Sequence, residues 1–387
     1  MLEFFIPVSK TILAQREVMP DGVIGKNLLI HSERSGFPEI EECKLVVFGI
    51  CESRKDVNFI GNFPNFDAIR NSFYSLYAGN WHHSIADLGD IKAGETVEDT
   101  YFAATTVVNH LVAKNIIPII LGGSQDLLYP IYRAYDSFGK MVNFVNIDSK
   151  FDIGNADAPI TNTSYVGKMV VDKPYNLFNY STIGYQTYFN ASEEIALLDK
   201  LFFEAYRLGE ITNDISLAEP ITRDADIVSI DISAIKGGEL SYVINKSPNG
   251  FNSREICAIS RYAGISNRVS TFGIFEIGEM AKNTSAAMLL AQVIWYFIEG
   301  VNYRIEDGNS TLSADFTTYK VPIDDEILVF KKSLKTQRWW IELPFISNVN
   351  NKLKRHTLLP CTYQDYENAC NQEIPERWYK ARRKNEI

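Results

Sequence analysis

Short runs of apolar and β-branched residues recur along the first three quarters of this chain, and each run is apolar at both its odd and its even positions. A strand with one wet face alternates apolar and polar residues, whereas a strand covered on both faces is apolar throughout. The runs therefore predict a mainly parallel sheet that is buried on both sides. They are Lys44–Ile50, Ile116–Gly123, Met141–Asp148, Ser181–Tyr185, Asp226–Ser233 and Val269–Gly278.

The segments between several of these runs have the pattern of amphipathic helices. Thr96 precedes a stretch in which apolar residues recur at helical spacing, and a threonine at that position caps a helix. A second helix is predicted over residues 190–210, with early acids and Gly209 as its stop, and a third over residues 283–301. Alternating strands and helices predict a doubly wound, three-layer α/β/α domain.

The pattern changes near the end of the chain, which predicts a domain over residues 1–301 and a C-terminal extension over residues 302–387. The extension consists of short strand-like runs followed by a terminal helical segment. One run places Trp339 and Trp340 on opposite faces of a strand, so that one of them is a candidate exposed anchor for a partner. The simpler expectation is that both pack on the first domain.

Composition and charge narrow the class of protein. The 387 residues carry a net charge of -10, which argues against binding to nucleic-acid phosphates. The N-terminus lacks the basic start and continuous apolar stretch of a signal peptide, and no run reaches the roughly 18 to 20 apolar residues of a membrane span. Five widely spaced cysteines without a CxxC pair favour a reducing compartment. We therefore predict a cytoplasmic protein.

Three of the predicted strands end in polar residues, at "LGGSQD" (Leu121–Asp126), "NIDSKFD" (Asn146–Asp152) and "SIDISAIKG" (Ser229–Gly237). In an open parallel sheet, ligands bind beyond the carboxyl ends of the strands. In this order and at these intervals the three ends resemble the metal-binding motifs of the ureohydrolases, the family of arginase, agmatinase and formimidoylglutamase. The resemblance covers about residues 44–301. It extends to Gly61–Tyr74, Ile85–Ile91, Ser247–Ile256 and Phe272–Ile294.

The resemblance implies a hydrolase that binds two manganese ions through six ligands. The matching positions here are Gln125, Asp148, Lys150, Asp152, Asp231 and Ser233. Gln125 and Lys150 stand in place of two histidines, and Ser233 stands in place of an aspartate, so three of the six ligands are retained. None of the five histidines lies between Lys114 and Gly300, so a small shift of alignment does not restore either imidazole.

The residue between the first two aspartates suggests how the site could be kept without its metals. Asp148, Asp152 and Asp231 together with Lys150 sum to a charge of about -2. Our hypothesis is that the Lys150 ammonium occupies part of the vestigial metal site and forms an internal ion-pair cluster. Lys150 as a catalytic amine is disfavoured, because three carboxylates would raise its pKa. We expect no metal cofactor, or at most one divalent cation at the three aspartates.

The retained and lost residues lead to two functional hypotheses. By the resemblance, Glu276 lies where the family keeps the glutamate that binds the substrate's guanidinium, although it can also be a simple capping acid. The lost ligands predict a catalytically silent protein with an assembly, scaffolding or ligand-sensing role. Its partner would be another protein or a second copy of the chain, with the C-terminal extension as the candidate contact surface. The alternative is an active metal-dependent C–N hydrolase of the formimidoylglutamase, arginase or agmatinase type that uses a reduced metal site.

Three weaker features have simple structural explanations. The "LGGSQD" turn can bind an anion at a helix N-terminus but lacks the lysine and spacing of a P-loop. Cys51 can be a reactive thiol, although a buried apolar role is the simpler expectation. His82 and His83 are expected to be a loop detail and not a ligand pair.

Overall fold

The computed structural model describes residues 2–240, 247–278, 284–307, 315–344 and 358–386. The strands are β1 (Phe5–Ile6), β2 (Leu29–Ile30), β3 (Cys43–Cys51), β4 (Ser84–Lys92), β5 (Ile117–Gly122), β6 (Val142–Ile147), β7 (Leu177–Tyr185), β8 (Glu204–Arg207), β9 (Ile227–Asp231), β10 (Thr271–Phe275), β11 (Phe316–Ile323), β12 (Glu326–Ser333), β13 (Trp339–Glu342) and β14 (Leu358–Cys361). The α-helices are α1 (Lys10–Val18), α2 (Ile24–Asn27), α3 (Asp67–Tyr74), α4 (Val97–Ala113), α5 (Leu128–Arg133), α6 (Tyr165–Val171), α7 (Ser192–Lys200), α8 (Leu208–Asn213), α9 (Ala218–Arg223), α10 (Ser253–Ile265), α11 (Thr284–Asn302), α12 (Tyr363–Cys370) and α13 (Glu376–Glu386).

The first ten strands form one sheet, in the order β1-β4-β3-β5-β10-β9-β6-β7-β8 with β2 paired to β4. Strand β1 runs antiparallel to β4, and the other pairs in this sheet are parallel. The mainly parallel sheet predicted from the apolar runs is therefore confirmed.

Helices cover both faces of this sheet, as the apolar runs predict. In β3, Leu45 and Val47 belong to a core that includes residues of α3, α10 and α11. The intervening Val46 and Phe48 belong to a second core with residues of α4 and α5. Neighbouring residues of one strand thus enter opposite cores, which explains why both parities are apolar. The three-layer α/β/α class is confirmed.

The helix predicted over residues 190–210 is wrong in its second half. Helix α7 ends at Lys200, and Phe202 then adopts a left-handed conformation with φ of 56°. The next residues form β8, which pairs in parallel with β7, and Gly209 lies inside the short helix α8 instead of ending the long one. Pairing at the sheet edge outweighs the helical propensity of this segment.

The C-terminal extension contains a four-stranded antiparallel sheet, in the order β11-β12-β13-β14, and the helices α12 and α13. Its core is separate from the two cores of the large sheet and includes Phe330, Ile341 and Trp378. The predicted short strands are thus present. The terminal helical segment forms two helices instead of one.

The adjacent tryptophans of β13 point in opposite directions, as the strand pattern predicts. Trp339 packs inside the extension, with its ring centroid 5.0 Å from that of Tyr366. Trp340 faces the first domain, where the guanidinium of Arg223 at the end of α9 lies 4.4 Å from its ring centroid. Arg223 is buried and also donates hydrogen bonds to the carbonyls of Trp339 and Cys361. The expectation that both tryptophans pack on the first domain holds for Trp340 only.

Within the described ranges, no helix combines the length and the apolar character that a bilayer crossing requires.

Candidate metal centre

The predicted polar residues meet at one edge of the large sheet. Strands β5, β10, β9 and β6 are consecutive neighbours and parallel, so their carboxyl ends lie side by side. Gln125 follows β5, Asp148 follows β6, Asp231 ends β9 and Glu276 follows β10. A Cβ on Gly123 would lie 1.9 Å from the backbone oxygen of Glu52, so the turn after β5 requires glycine to approach the end of β3.

Three carboxylates converge at this edge. One oxygen each from Asp148, Asp152 and Asp231 lies within 4.8 Å of the other two. All three side chains are buried, and Asp152 reaches the cluster from a backbone with φ of 51°. A non-glycine residue with positive φ is uncommon and is found more often at functional sites. The aspartates predicted as one cluster do lie together.

Amide side chains hold Asp148 in place. Its Oδ2 accepts hydrogen bonds from Gln125 Nε2 at 3.1 Å and from Asn146 Nδ2 at 2.9 Å. Asn146 Oδ1 in turn accepts from Gln125 Nε2 at 3.1 Å and from Ser229 Oγ at 2.5 Å. Gln125 therefore positions a carboxylate from the place where the resemblance expects a histidine. Asn146 and Ser229 were missed by sequence reasoning, although a polar residue in the interior of a doubly covered strand is a usable signal.

The hypothesis that the Lys150 ammonium fills the vestigial site is wrong. The Lys150 side chain is exposed, and no ion pair within the described ranges joins it to an aspartate. The backbone N–H of Lys150 donates to Asp148 Oδ1 at 2.9 Å, which fixes the turn after β6 with the lysine side chain outside. Position in a motif does not determine burial, and here the residue between two buried aspartates is exposed.

The charge of the carboxylate cluster is only partly offset, because Lys150 lowers the pKa of Asp152 without forming an ion pair with it. Burial raises the pKa of Asp148, and burial together with the charge of Asp148 raises the pKa of Asp152 and of Asp231 well above the usual range. A hydrogen bond between the Asp148 and Asp152 carboxyl groups accompanies this shift. Like charges brought together out of water favour either bound protons or a bound cation.

Ser233 lies beside the cluster but adds no charge to it. Its backbone N–H donates to Asp231 Oδ1 at 2.6 Å, and its hydroxyl lies 3.5 Å from that of Ser149. With Ser233 uncharged and Lys150 outside, the side chains at these two positions offer a second ion neither a carboxylate nor an imidazole. The donor set therefore fits one divalent cation at Asp148, Asp152 and Asp231, and does not fit a two-ion centre.

Glu276 lies next to the cluster and is held by the turn after β5. Its Oε1 accepts hydrogen bonds from the backbone N–H of Gln125 at 2.8 Å and from Asn162 Nδ2 at 3.2 Å. Burial and the nearby charge of Asp56 raise the pKa of Glu276 to about 8, and its backbone has φ of 62°. Because Glu276 accepts from the Gln125 N–H, that donor is not open to the anion considered for "LGGSQD". Asn162, which also bonds Asp56, was missed by sequence reasoning.

The other candidates from the sequence lie outside this cluster. His82 and His83 precede β4, so they lie at the amino ends of the parallel strands and away from the aspartates. Their ring centroids are 4.1 Å apart, and burial lowers the pKa of His83 to about 4. Burial raises the pKa of the Cys51 thiol to about 12, which is the reverse of what a reactive cysteine needs.

The chain thus combines a mainly parallel α/β sheet with a buried cluster of three aspartates at the carboxyl ends of its central strands. Residues 63–299 match the sequence profile of the arginase family, and the chain belongs to this family. A formimidoylglutamase of Geobacillus sp. (strain WCH70) is 22% identical over 228 residues, which span 54% of this chain and 69% of that protein.

Solved structures support the same fold at low identity. The formiminoglutamase of Trypanosoma cruzi with Mn²⁺ aligns with a TM-score of 0.62 and 16% identity, over 69% of this chain and 96% of that one. The formimidoylglutamase of Bacillus subtilis aligns with a TM-score of 0.63 and 15% identity, over 74% of this chain and 94% of that one. The agmatine ureohydrolase of Thermoplasma volcanium aligns with a TM-score of 0.56 and 18% identity, over 75% of this chain and 98% of that one.

Proposed function

We propose that this arginase-family chain is catalytically silent, and that its sheet edge binds a ligand or cation without hydrolysing it, in an assembly or ligand-sensing role. The proposal is supported by the residues at two of the positions where the resemblance implies metal ligands. Lys150 is exposed where the resemblance expects a histidine ligand, and Ser233 offers a hydroxyl where it expects a carboxylate.

The chemical argument concerns the attacking group. The family reaction, as the resemblance implies it, uses a hydroxide formed from water held between two ions, and three of the six implied ligands are retained here. A nearby imidazole could act as the base instead, but none of the five histidines lies between Lys114 and Gly300. The residues at the site can bind and orient a ligand, and their possible proton acceptors are carboxylates, Glu276 among them, instead of an imidazole.

The first test is an assay of the purified full chain, supplied with Mn²⁺, for turnover of formimidoylglutamate, agmatine and arginine. We expect no turnover above that of the Asp148→Asn variant. The matched gain-of-function experiment combines Gln125→His, Lys150→His and Ser233→Asp and should create a second manganese site. Each of these substitutions alone serves as a control. Wild-type turnover that Asp148→Asn abolishes would refute the silent assignment.

The second candidate is an active C–N hydrolase that uses the reduced site. The position of Glu276 favours it, because a half-buried carboxylate beside the aspartate cluster is placed to bind a cationic amidine or guanidine. In that case Glu276→Gln would raise KM for such a substrate. In a silent protein the same substitution would weaken ligand binding, measured by calorimetry with agmatine, with no turnover to change.

For the assembly role we propose the C-terminal extension as the contact surface. Leu334 of the extension is an exposed apolar residue with 58% of its surface accessible, and Val57 of the first domain is matched at 59%. If the extension mediates self-association, Leu334→Glu should lower the mass of the chain in light scattering and Val57→Glu should not. Equal masses of both variants and the wild type would count against this surface.

A further inference from the structure

The small sheet of the C-terminal extension has one strand edge that the described part of the chain leaves uncovered over half its length. The strand order is β11-β12-β13-β14, so β11 and β14 are the two edges. Helix α13 lies against β14, where Arg377 Nη1 donates to the Pro360 carbonyl at 2.7 Å. β11 has eight residues, and no strand of the described ranges pairs with its outer side.

Two hydrogen bonds near the ends of β11 show which of its backbone groups point away from β12. The Asp315 carbonyl accepts from the Leu334 N–H at 3.0 Å, on the side of β12. The Pro322 carbonyl accepts from Gln372 Nε2 at 3.2 Å, on the outer side. Because backbone groups alternate in direction along a strand, the even-numbered residues between them also point outward. These residues are Phe316, Thr318 and Lys320, and among the described residues their outward N–H and C=O groups have no partner.

The first half of β11 is the part that a neighbouring strand can reach. Thr317, Thr318 and Lys320 are exposed, and Tyr319 is half-buried. At the other end, the side chain of Gln372 already bonds the Pro322 carbonyl, and proline lacks the N–H that a ladder requires. The open part of the edge is therefore residues 316–320.

A second copy of β11 fits this edge in antiparallel orientation. When Thr318 lies opposite Thr318 of the second copy, Phe316 lies opposite Lys320, and each pair exchanges two hydrogen bonds. This register uses every outward donor and acceptor of residues 316–320 and leaves Pro322 outside the paired part. A threonine pair and a lysine stem beside an aromatic ring are favourable neighbours across strands. The edge is thus complementary to itself.

The other antiparallel registers are less favourable. A shift by two residues places Phe316 opposite Pro322, which has no N–H and whose carbonyl is already bonded. A shift by four places Lys320 opposite Lys320, and like charges directly opposite destabilise a pair of strands. A shift by two in the reverse sense leaves Lys320 beyond the end of β11. Lysine and proline protect strand edges from non-specific pairing, and here they select one register.

We propose that β11 pairs with β11 of a second copy across a two-fold axis at Thr318, so that two extensions form one continuous antiparallel sheet. This inference rests on the self-association proposed for the extension and names the contact that produces it. The contact is one strand wide, and small interfaces are weak. The dimer should therefore form reversibly as the concentration of the chain rises.

The first experiment follows the mass of the full chain by light scattering as its concentration is raised. The wild-type mass should approach twice that of one chain. Thr318→Pro removes the N–H at the two-fold axis and should keep the chain monomeric. The hairpin with β12 should survive, because this N–H points outward and an edge strand tolerates proline there. Thr318→Val keeps the N–H and is the matched control, which should dimerise as the wild type does.

The second experiment tests the register by oxidation and decides the matter if Thr318→Pro does not fold. It uses a Cys370→Ser background, which removes the exposed thiol. Thr318→Cys should form a disulfide between two chains, because opposite Cα atoms of a hydrogen-bonded pair are about 5.5 Å apart, within disulfide range. Lys320→Cys is the control at a second exposed position. Its two copies are four positions out of register, about 13 Å apart, and should not crosslink.

The possible outcomes separate this inference from the proposed function. A dimer that Leu334→Glu disrupts and Thr318→Pro does not would overturn the edge pairing and leave the extension as the contact surface. Equal crosslinking of Thr318→Cys and Lys320→Cys would also overturn the pairing. A wild type that stays monomeric at every concentration would refute both the pairing and the self-association. Turnover by a dimer with the expected crosslink would refute the silent assignment alone.

Discussion

Arg377 of α13 and Glu204 of β8 form a buried ion pair, with Arg377 Nε 3.0 Å from Glu204 Oε2, although 173 residues separate them in the sequence. Asn179, Ser181 and Tyr206 also donate hydrogen bonds to this carboxylate. Burial alone would raise the pKa of Glu204, but the neighbouring charges, chiefly that of Arg377, outweigh it and lower the pKa. The last helix is thus attached to the edge strand of the large sheet by a satisfied charge pair.

Breaking this pair from one side should destabilise the chain. Arg377→Ala leaves Glu204 without its charged partner, and a buried carboxylate that loses its cation typically costs about 3 to 5 kcal/mol of unfolding free energy. We expect a loss of about 3 kcal/mol in urea denaturation and a smaller loss in the Glu204→Gln, Arg377→Gln double variant. Arg34→Ala, at an exposed arginine, is the control. A loss no larger than that of the control would show that the pair does not hold the helix.

The contact of Arg223 with the extension should depend on the guanidinium group and not only on its charge. Arg223→Lys keeps a cation but cannot donate in the same way to the carbonyls of Trp339 and Cys361 while stacking on the Trp340 ring. We expect a loss of about 2 kcal/mol, measured by chemical denaturation with tryptophan fluorescence. Arg261→Lys is the control, since Arg261 pairs with Glu299 near the surface. Equal effects of the two substitutions would contradict the prediction.

Alkaline conditions should strengthen the attachment of α13. Burial lowers the pKa of Lys384 from 10.5 to about 8, and its Nζ donates to Asn179 Oδ1 at 2.6 Å. Since the folded pKa lies below the unfolded one, the penalty for the charged ammonium is complete below about pH 8 and disappears as the pH rises toward 10.5. The Lys384 contribution to the free energy of unfolding should therefore increase across this window.

Urea denaturation at several pH values in that window measures this contribution as the difference between the wild type and Lys384→Met. Gln364→Met, at an exposed uncharged residue of α12, controls for the added methionine. If the free energy of unfolding changes with pH in the same way in Lys384→Met as in the wild type, the pH dependence comes from other groups.

Removing one charge from the aspartate cluster should stabilise the cation-free chain. Asp231→Asn relieves repulsion among three buried carboxylates, and in EDTA we expect a gain of roughly 1 kcal/mol in the free energy of unfolding. Saturating Mg²⁺ should reverse the order, because the wild type gains a bound ion that the variant binds poorly. Thermal melts in both conditions test this. The same order of stability in both would show that the cluster is not controlled by charge.

The sequence was sufficient to predict the large sheet and the place of its site. Residues such as Val46 and Val47 are both apolar because they enter opposite cores, and the six apolar runs correspond to β3, β5, β6, β7, β9 and β10. Polar residues that follow parallel strands must meet at one edge, which brings Asp148 and Asp231 together without knowledge of any contact. The pattern that determines the fold is therefore local and repeats along the chain.

Other features could not be predicted because they depend on distant partners or on side-chain direction. Strand β8 becomes a strand by pairing with β7 and packing under α13, while its own residues are compatible with a helix. The outward direction of Lys150 follows from the turn after β6. No periodicity relates Glu204 to Arg377, and truncation of residues 302–387 would remove the partners of Glu204 and Arg223 together. Point variants therefore test the extension more cleanly than its deletion.

The separation between Glu204 and Arg377 also affects the order of events during synthesis. A ribosome adds about 5 to 20 residues per second, so the 173 positions from Glu204 to Arg377 take roughly 9 to 35 s to make. Strands β9 and β10, which complete the large sheet, are made within this interval, so that β8 can be in place at the sheet edge before α13 is made. An uncovered strand edge is prone to pairing with other chains. Nascent chains stalled before Arg377 are therefore the species in which aggregation of this protein should begin.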